Sequence, residues 1–206
     1  MSMPVPARAL LLGTTLALGA CSLSRPAVQP VTYILSATRD APPASAPQPV
    51  ALRVRPLRAA PMYERRDFIY RVDGERVVSD FYSEFAESPD AMITAALTSW
   101  LKDARLFKSV IGPGVAVDAQ YSLDGTIVAL YGDFRDPEKP VAVLGIQFYV
   151  MRSGSGGREI VLDRALEERV QVSARTPEAL VKGYDNALRQ ILTALERELG
   201  GLSPSR

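Results

Sequence analysis

The sequence predicts an α+β domain of two layers, a largely antiparallel or mixed sheet packed against two amphipathic helices. Three observations predict it. Apolar residues recur at helical spacing twice, once after Ser88-Pro89 and once after Thr176-Pro177. Runs rich in Val, Ile, Tyr and Phe lie before and between them, bounded by the breaks expected of strands. One such run folds back at Asp73-Gly74, a dipeptide suited to a two-residue hairpin loop that needs positive φ.

Taken in order, residues 31–35 (VTYIL) read as a first strand and residues 50–55 as a second. Between them, residues 36–49 (SATRDAPPASAPQP) are rich in Pro, Ala and Ser and read as a flexible connection. Residues 67–82 form the hairpin. Ser88 then offers an N-cap and Pro89 a first helical position. Met92, Ile93, Ala96, Leu97, Trp100, Leu101 and Ala104 fall on one face of the helix that follows, and Trp100 in that stripe is a core anchor.

Residues 119–131 are β-like but contain Asp124-Gly125. A turn there sets Thr126, Val128 and Leu130 on the face of Tyr121 and Leu123, whereas an unbroken strand sets Ile127, Ala129 and Tyr131 there. Both sets are apolar enough, so parity leaves the two open. Residues 141–151 are apolar at nearly every position, as in a strand covered on both faces. After a turn at residues 153–157 (SGSGG), residues 160–172 alternate imperfectly, broken at Arg164 and Glu168. They read as a strand, with a helix through Leu162, Ala165, Leu166 and Val170 as the alternative. Thr176 caps the last helix, whose stripe runs through Leu180, Val181, Tyr184, Ala187, Leu188, Ile191, Leu192 and Leu195. Gly200-Gly201 stops it, and residues 201–206 read as a disordered tail. Residues 31–200 are thus expected to share one core.

Hydrophobic residues make up 47% of the 206-residue chain and charged residues 23%, too apolar for disorder. After residue 20 the basic and acidic side chains balance, which argues against nucleic acid as a partner. The cluster Arg53, Arg55, Arg58, Arg65 and Arg66 is better read as the wet side of strands, since Leu52 and Val54 alternate with Arg53 and Arg55. Histidine is absent and Cys21 is the single cysteine. A Ser-His-Asp site, a Cys-His site, a cysteine zinc site and an internal disulfide are therefore all excluded, and neither metal nor cofactor is expected.

Arg8 precedes twelve uncharged residues, 9–20, too few to span a bilayer, which takes roughly 20. A positive start, a short apolar middle and small residues at the end are the parts of a secretory signal peptide. Leu18-Gly19-Ala20-Cys21 resembles a bacterial lipobox, in which the bond between Ala20 and Cys21 is cut after the Cys21 thiol is acylated. Residues 1–20 are accordingly expected to be a lipoprotein signal peptide, Cys21 the acylated first residue, and residues 21–30 a tether with Pro26 and Pro30.

No enzyme motif survives inspection. There is no G-x-x-x-x-G-K-[ST], and Ser153 stands where a nucleophile elbow around Ser155 needs Gly. Gly112-Pro113-Gly114 lacks the third glycine of a dinucleotide fingerprint. The acids Asp133 with Asp136, and Asp163 with Glu167 and Glu168, are the remaining candidates for acid–base chemistry; solvated faces explain them more simply. Phe68, Tyr70, Phe81, Tyr82 and Phe85 form an aromatic set that reads either as core or as a ligand or partner face.

Several features occur together and in order: the lipobox, the tether, Tyr33-Ile34-Leu35, Ile69-Tyr70-Arg71, and D-x-Y-x-x-aromatic-A-x-x-P over residues 80–89 leading into an L-x-x-x-L helix. Y-x-L-x-G over residues 121–125 and the final amphipathic helix complete the pattern. In this the chain resembles the auxiliary lipoproteins of ABC-type transport systems, the PqiC-like proteins that accompany MCE-domain proteins. It departs from them at Phe85, where the family often has Trp. The resemblance implies a non-catalytic lipoprotein on the periplasmic face of the outer membrane, since Ser22 stands where Asp would commonly mark inner-membrane retention. It implies an MCE-domain protein of an ABC-type lipid transporter as partner, and outer-membrane lipid as the anchor of Cys21. It also favours one strand through residues 121–131, with Gly125 at a bulge or a close contact. A docking component of this kind is a candidate for self-association as a ring, though no residue in the sequence demonstrates it. The alternative reading is a lipid- or apolar-ligand-binding, or envelope-assembly, lipoprotein of the periplasm.

Overall fold

The computed structural model describes residues 29–154 and 156–202. In chain order the elements are β1 (Val31–Tyr33), β2 (Gln48–Val54), β3 (Arg58–Ala59), a 3₁₀ turn (Pro61–Tyr63), β4 (Asp67–Asp73), β5 (Arg76–Phe85), α1 (Pro89–Ala104), β6 (Phe107–Ile111), β7 (Tyr121–Asp133), β8 (Val141–Gly154), β9 (Gly157–Gln171) and α2 (Pro177–Gly200). The nine strands form a single mixed sheet, so the α+β class is borne out, in its mixed form.

β7 organises the sheet. Along one edge it pairs antiparallel with β8 for its whole length, from Tyr121 opposite Arg152 to Asp133 opposite Val141. Its other edge is divided end to end among three short parallel strands. β2 takes Tyr121 to Leu123, β3 takes Thr126 and Ile127, and β4 takes Gly132 and Asp133. Beyond these, β6 flanks β2 in parallel, while β5 flanks β4 antiparallel and β1 flanks β5 in parallel. Both faces are covered toward the Asp133 end of β7 and the Val141 end of β8, by the helix-side core on one and by a smaller apolar cluster on the other, which explains the apolar residues at both parities there.

The strand through residues 121–131 is unbroken, yet neither parity continues throughout. Tyr121, Leu123 and Ile127 face the main core; a bulge at Val128 then turns Leu130 inward and sends Ala129 and Tyr131 to the opposite face. Gly125 is not the bulge but a close contact: a Cβ there would lie 3.2 Å from the Phe148 ring and 3.3 Å from the Gln147 carbonyl.

The segment at residues 160–172 is a strand. Arg164 and Glu168, the polar residues within its alternation, share the face of Leu162, Leu166 and Val170, and Arg164 reaches Glu198 of α2 at 3.1 Å. A long cation at the margin of a helix–sheet interface keeps its charge wet while its stem covers apolar surface. In the hairpin, Asp73 pairs with Arg76, so the loop is Gly74-Glu75, with Gly74 at φ +40°. The first strand stops at Tyr33, and β3, the 3₁₀ turn and β6 are additions that the sequence reading lacked.

Both helices lie on one face. Leu97, Trp100 and Leu101 of α1 join Leu180, Tyr184, Leu188, Ile191 and Leu195 of α2 over Leu52, Leu123, Ile127 and Phe148 of the sheet. On the other face a smaller cluster of Ile69, Ala129, Tyr131 and Val143 is covered by Tyr63 of the 3₁₀ turn. Thr176 caps α2 by accepting from the Ala179 N–H, whereas Ser88 sits at the cap of α1 without a side-chain hydrogen bond.

Residues 36–47, where composition suggests a free connection, lack regular structure but make specific contacts with the helices. Asp185 accepts from the Ser36 N–H at 2.7 Å, and Glu196 takes a two-pronged contact from Arg39 at 2.7 and 2.8 Å as well as the Trp100 indole N–H. Just before them, the Tyr33 hydroxyl donates to Glu178 at 2.6 Å. Glu178, Asp185 and Glu196 are seven and eleven residues apart, close to two and three helical turns, so they line one face of α2 and hold the incoming chain along it.

α2 meets β8 at Gly183, where a Cβ would lie 2.5 Å from Ala142 Cβ and 2.6 Å from Val172 Cγ1. Gly183→Ala is therefore expected to destabilise the fold by about 1–3 kcal/mol through overpacking. In an exposed helix the same change would stabilise by about 1 kcal/mol. The sign of the shift in the urea midpoint decides between them.

Candidate functional site

The aromatic set divides in two. Phe68 and Phe85 are buried, ring centroids 4.4 Å apart, with Tyr184 of α2 stacked at 6.4 Å from Phe68. Tyr70 is half-buried and stacks on Phe134 at 5.1 Å. These three are core. Phe81 and Tyr82, by contrast, are 84% and 64% exposed although they are neighbours in one strand.

The register explains how consecutive residues both face water. Ile69 of β4 lies opposite Ser79 and Asp67 opposite Glu84, so the four residues 80–83 stand against Phe68 alone. The surplus arches out of the sheet. Asp80 pins the arch at both sides: Oδ1 accepts the Tyr82 N–H at 2.8 Å, and Oδ2 accepts the Tyr70 hydroxyl at 2.7 Å. The first bond is an Asx turn, the local alternative that Asp offers to a strand ladder. Burial, reinforced by the Asp80 carboxylate, pushes the Tyr70 phenol far above its ordinary range, so it remains a donor across physiological pH. Arg66 and Glu84 form an ion pair at the arch's return to the sheet, and β1 is paired alongside, with Val31 opposite Ser83. Asp80 escaped the sequence reading as a site residue, although an acid inside a β-rich run is a signal for such a turn.

The candidate acids are not brought together. Asp133 is buried between two guanidiniums, bound by Arg135 Nε and Nη2 at 2.8 and 2.7 Å and by Arg169 Nη2 at 2.7 Å. The hydrogen bonds from Arg135 and then Arg169 outweigh its burial and hold its pKa well below the carboxylate range. Asp136 accepts the Glu138 N–H within its own loop. Asp163 accepts from Gln147 at 2.6 Å, Glu167 lies 3.8 Å from Arg169, and Glu168 lies on the α2 side of β9. Of the basic cluster, Arg53 donates to the Val115 carbonyl while Arg55, Arg65 and Arg66 pair with Asp124, Asp67 and Glu84. Arg58 lies on β3. Among the described residues no group of acids could hold a metal ion, and no helix is long and apolar enough to cross a membrane. Ala20 and Cys21 lie outside the described residues.

A model of the ABC-type transport auxiliary lipoprotein component family matches residues 33–196. The chain belongs to this family. Such membership makes it a lipoprotein that works beside an ABC-type transporter, in a family not known for enzymes. No curated protein sequence matches it. The fold is similar to the crystal structure of XCC0632, a DUF330 protein from Xanthomonas campestris, at TM-score 0.66 and 15% identity over 80% of this chain and 90% of that one. It is also similar to that of an uncharacterized protein at TM-score 0.65 and 14% identity, over 83% and 99%. The hypothetical protein CT253 from Chlamydia trachomatis follows at TM-score 0.53 and 7% identity, over 74% and 98%.

In this auxiliary lipoprotein the pattern residues have structural work to do. Asp80 and Tyr82 of D-x-Y build the arch, Phe85 enters the core, and Tyr121, Leu123 and Gly125 face inward on β7. Tyr33, the first matched residue, and Glu196, the last, both belong to the contacts that hold the incoming chain on α2.

Asp80→Ala is expected to cost about 1–2 kcal/mol, since one part-buried and one exposed hydrogen bond to a charged group are lost, and to speed hydrogen exchange at the Tyr82 amide. Asp133 has a lowered folded pKa, so its contribution is complete above the unfolded value near ~4 and is lost as pH falls toward the folded one. Asp133→Asn should therefore lower stability at pH 7 and flatten its fall below about pH 4 in acid titrations followed by thermal melting.

Proposed function

We propose that this chain is a non-catalytic subunit, anchored by acylated Cys21 to the periplasmic face of the outer membrane, that docks an ABC-type transporter carrying an MCE-domain protein for lipid movement between membranes. The observation that carries the reading is Leu18-Gly19-Ala20-Cys21, directly after a signal-like apolar run, in a chain whose family consists of transport auxiliary lipoproteins. Ser22 supports the outer membrane as the destination. The paired state of Asp133, Asp163 and most of the arginine cluster supports a binding rather than a catalytic role, because these charges are engaged within the fold. Residues 21–30 reach at most ~35 Å when fully extended, at roughly 3.3–3.6 Å per residue. The domain stays beside its membrane, and the partner supplies the span across the periplasm.

Crosslinking in living cells of the native host, followed by mass spectrometry, tests this. The anchored form is expected to capture an MCE-domain protein, and Cys21→Ala to lower that capture by about tenfold or more as membrane co-localisation is lost. Capture of outer-membrane assembly factors without any transporter component would sink the docking role.

A further inference from the structure

Of the eleven large apolar side chains that are exposed among the described residues, five gather on β5 and the start of β1: Val31, Val77, Val78, Phe81 and Tyr82. Phe81 is the most exposed of all, and its backbone is held in place by Asp80 rather than hanging free. A fixed display of two rings to water is unfavourable unless something covers them, since apolar area contributes about 25 cal/mol per Å² when buried.

The direction of the chain indicates what covers them. β1 is parallel to β5, with Val31 opposite Ser83, so the chain that enters at Val31 comes from the side of Tyr82 and Phe81 and of the hairpin loop beyond. Cys21, the residue of the proposed lipid anchor, is ten residues before Val31 in the sequence. Extended, residues 21–30 span at most ~35 Å, and any slacker path brings the arch closer to the bilayer. The chemistry also fits a bilayer surface. Tyr82 offers an apolar ring whose hydroxyl can stay wet, the type favoured at the headgroup level, and Phe81 beside it adds purely apolar area. Of the carboxylates bordering the arch, Glu84 is paired with Arg66 and Asp73 with Arg76, which reduces repulsion from anionic lipid.

We infer that the Phe81–Tyr82 arch is a membrane-contact site, its two rings seated in the interfacial layer of the same bilayer that holds the acylated Cys21. The inference rests on the proposed lipid anchor and adds a second point of attachment. Two attachments fix the orientation of the domain: with the arch down, the β1–β5 edge of the sheet faces lipid and the β8–β9 edge is turned away.

The test uses the full lipoprotein purified from its host and reconstituted in phosphatidylethanolamine–phosphatidylglycerol vesicles that contain brominated phospholipid. Trp100 is the single native tryptophan and is buried, so its emission reports the integrity of the fold. Phe81→Trp, and independently Tyr82→Trp, are expected to add an emission that shifts to the blue and loses most of its intensity to the lipid-borne quencher. Ile160→Trp, exposed at the start of β9, should stay unquenched. Vesicles that float with the protein while both arch tryptophans emit as in water would overturn the membrane contact alone. Protein that fails to float would overturn it together with the anchor. Capture of the transporter by a photocrosslinker at position 81, with unquenched arch tryptophans, would reassign the arch to a protein partner.

Discussion

The division of β7's free edge is the constraint on which the rest of the structure depends. One thirteen-residue strand must pair with β8 on one side and with β2, β3 and β4 in succession on the other. Three consecutive short strands from the first half of the chain are thereby set in line, and everything attached to them follows. β2 brings β6 and the end of α1 to one end of the sheet; β4 brings the hairpin, the arch and β1 to the other. The bulge at Val128 is part of the same solution. It lets one strand feed the helix-side core through Ile127 and Leu130 and the opposite cluster through Ala129 and Tyr131.

How far this was legible in the sequence depended on whether a signal was local. Both helices were, because a twofold N-terminal cue, Ser/Thr then Pro, preceded a stripe of helical period. The hairpin was too, apart from a one-residue difference in its loop, because positive φ at Gly74 is a local need. The course of residues 121–131 was not, since neither a turn at Asp124-Gly125 nor a regular strand has the register of a bulge at Val128. Arg164 and Glu168 looked like interruptions because their partner surface, the flank of α2, is distant in sequence. β3 and β6 owe their strand character to β7 and β2, and two to five residues with mixed polarity carry little signal of their own.

The candidate site shows the same limit from the other side. All five aromatics were visible as a set, but only the pairing register separates Phe68, Tyr70 and Phe85, which fill the core, from Phe81 and Tyr82, which leave it. The motif that carried the family resemblance turns out to encode that separation: Asp80 closes the arch and Phe85 returns the chain to the core. On α2, Glu178, Asp185 and Glu196 hold residues 33–39, so a pull on the N-terminal side is borne by β1's pairing and by these three carboxylates together.

The central claim is that Cys21 is the acylated first residue of the working protein, because the proposed location, partner and membrane contact all follow from it. Intact-mass and N-terminal peptide analysis of the chain extracted from its host's membranes tests this most directly. The account predicts a protein that starts at Cys21 and carries acyl chains on that residue. A chain that retains Met1, or begins elsewhere with an unmodified Cys21, would contradict it.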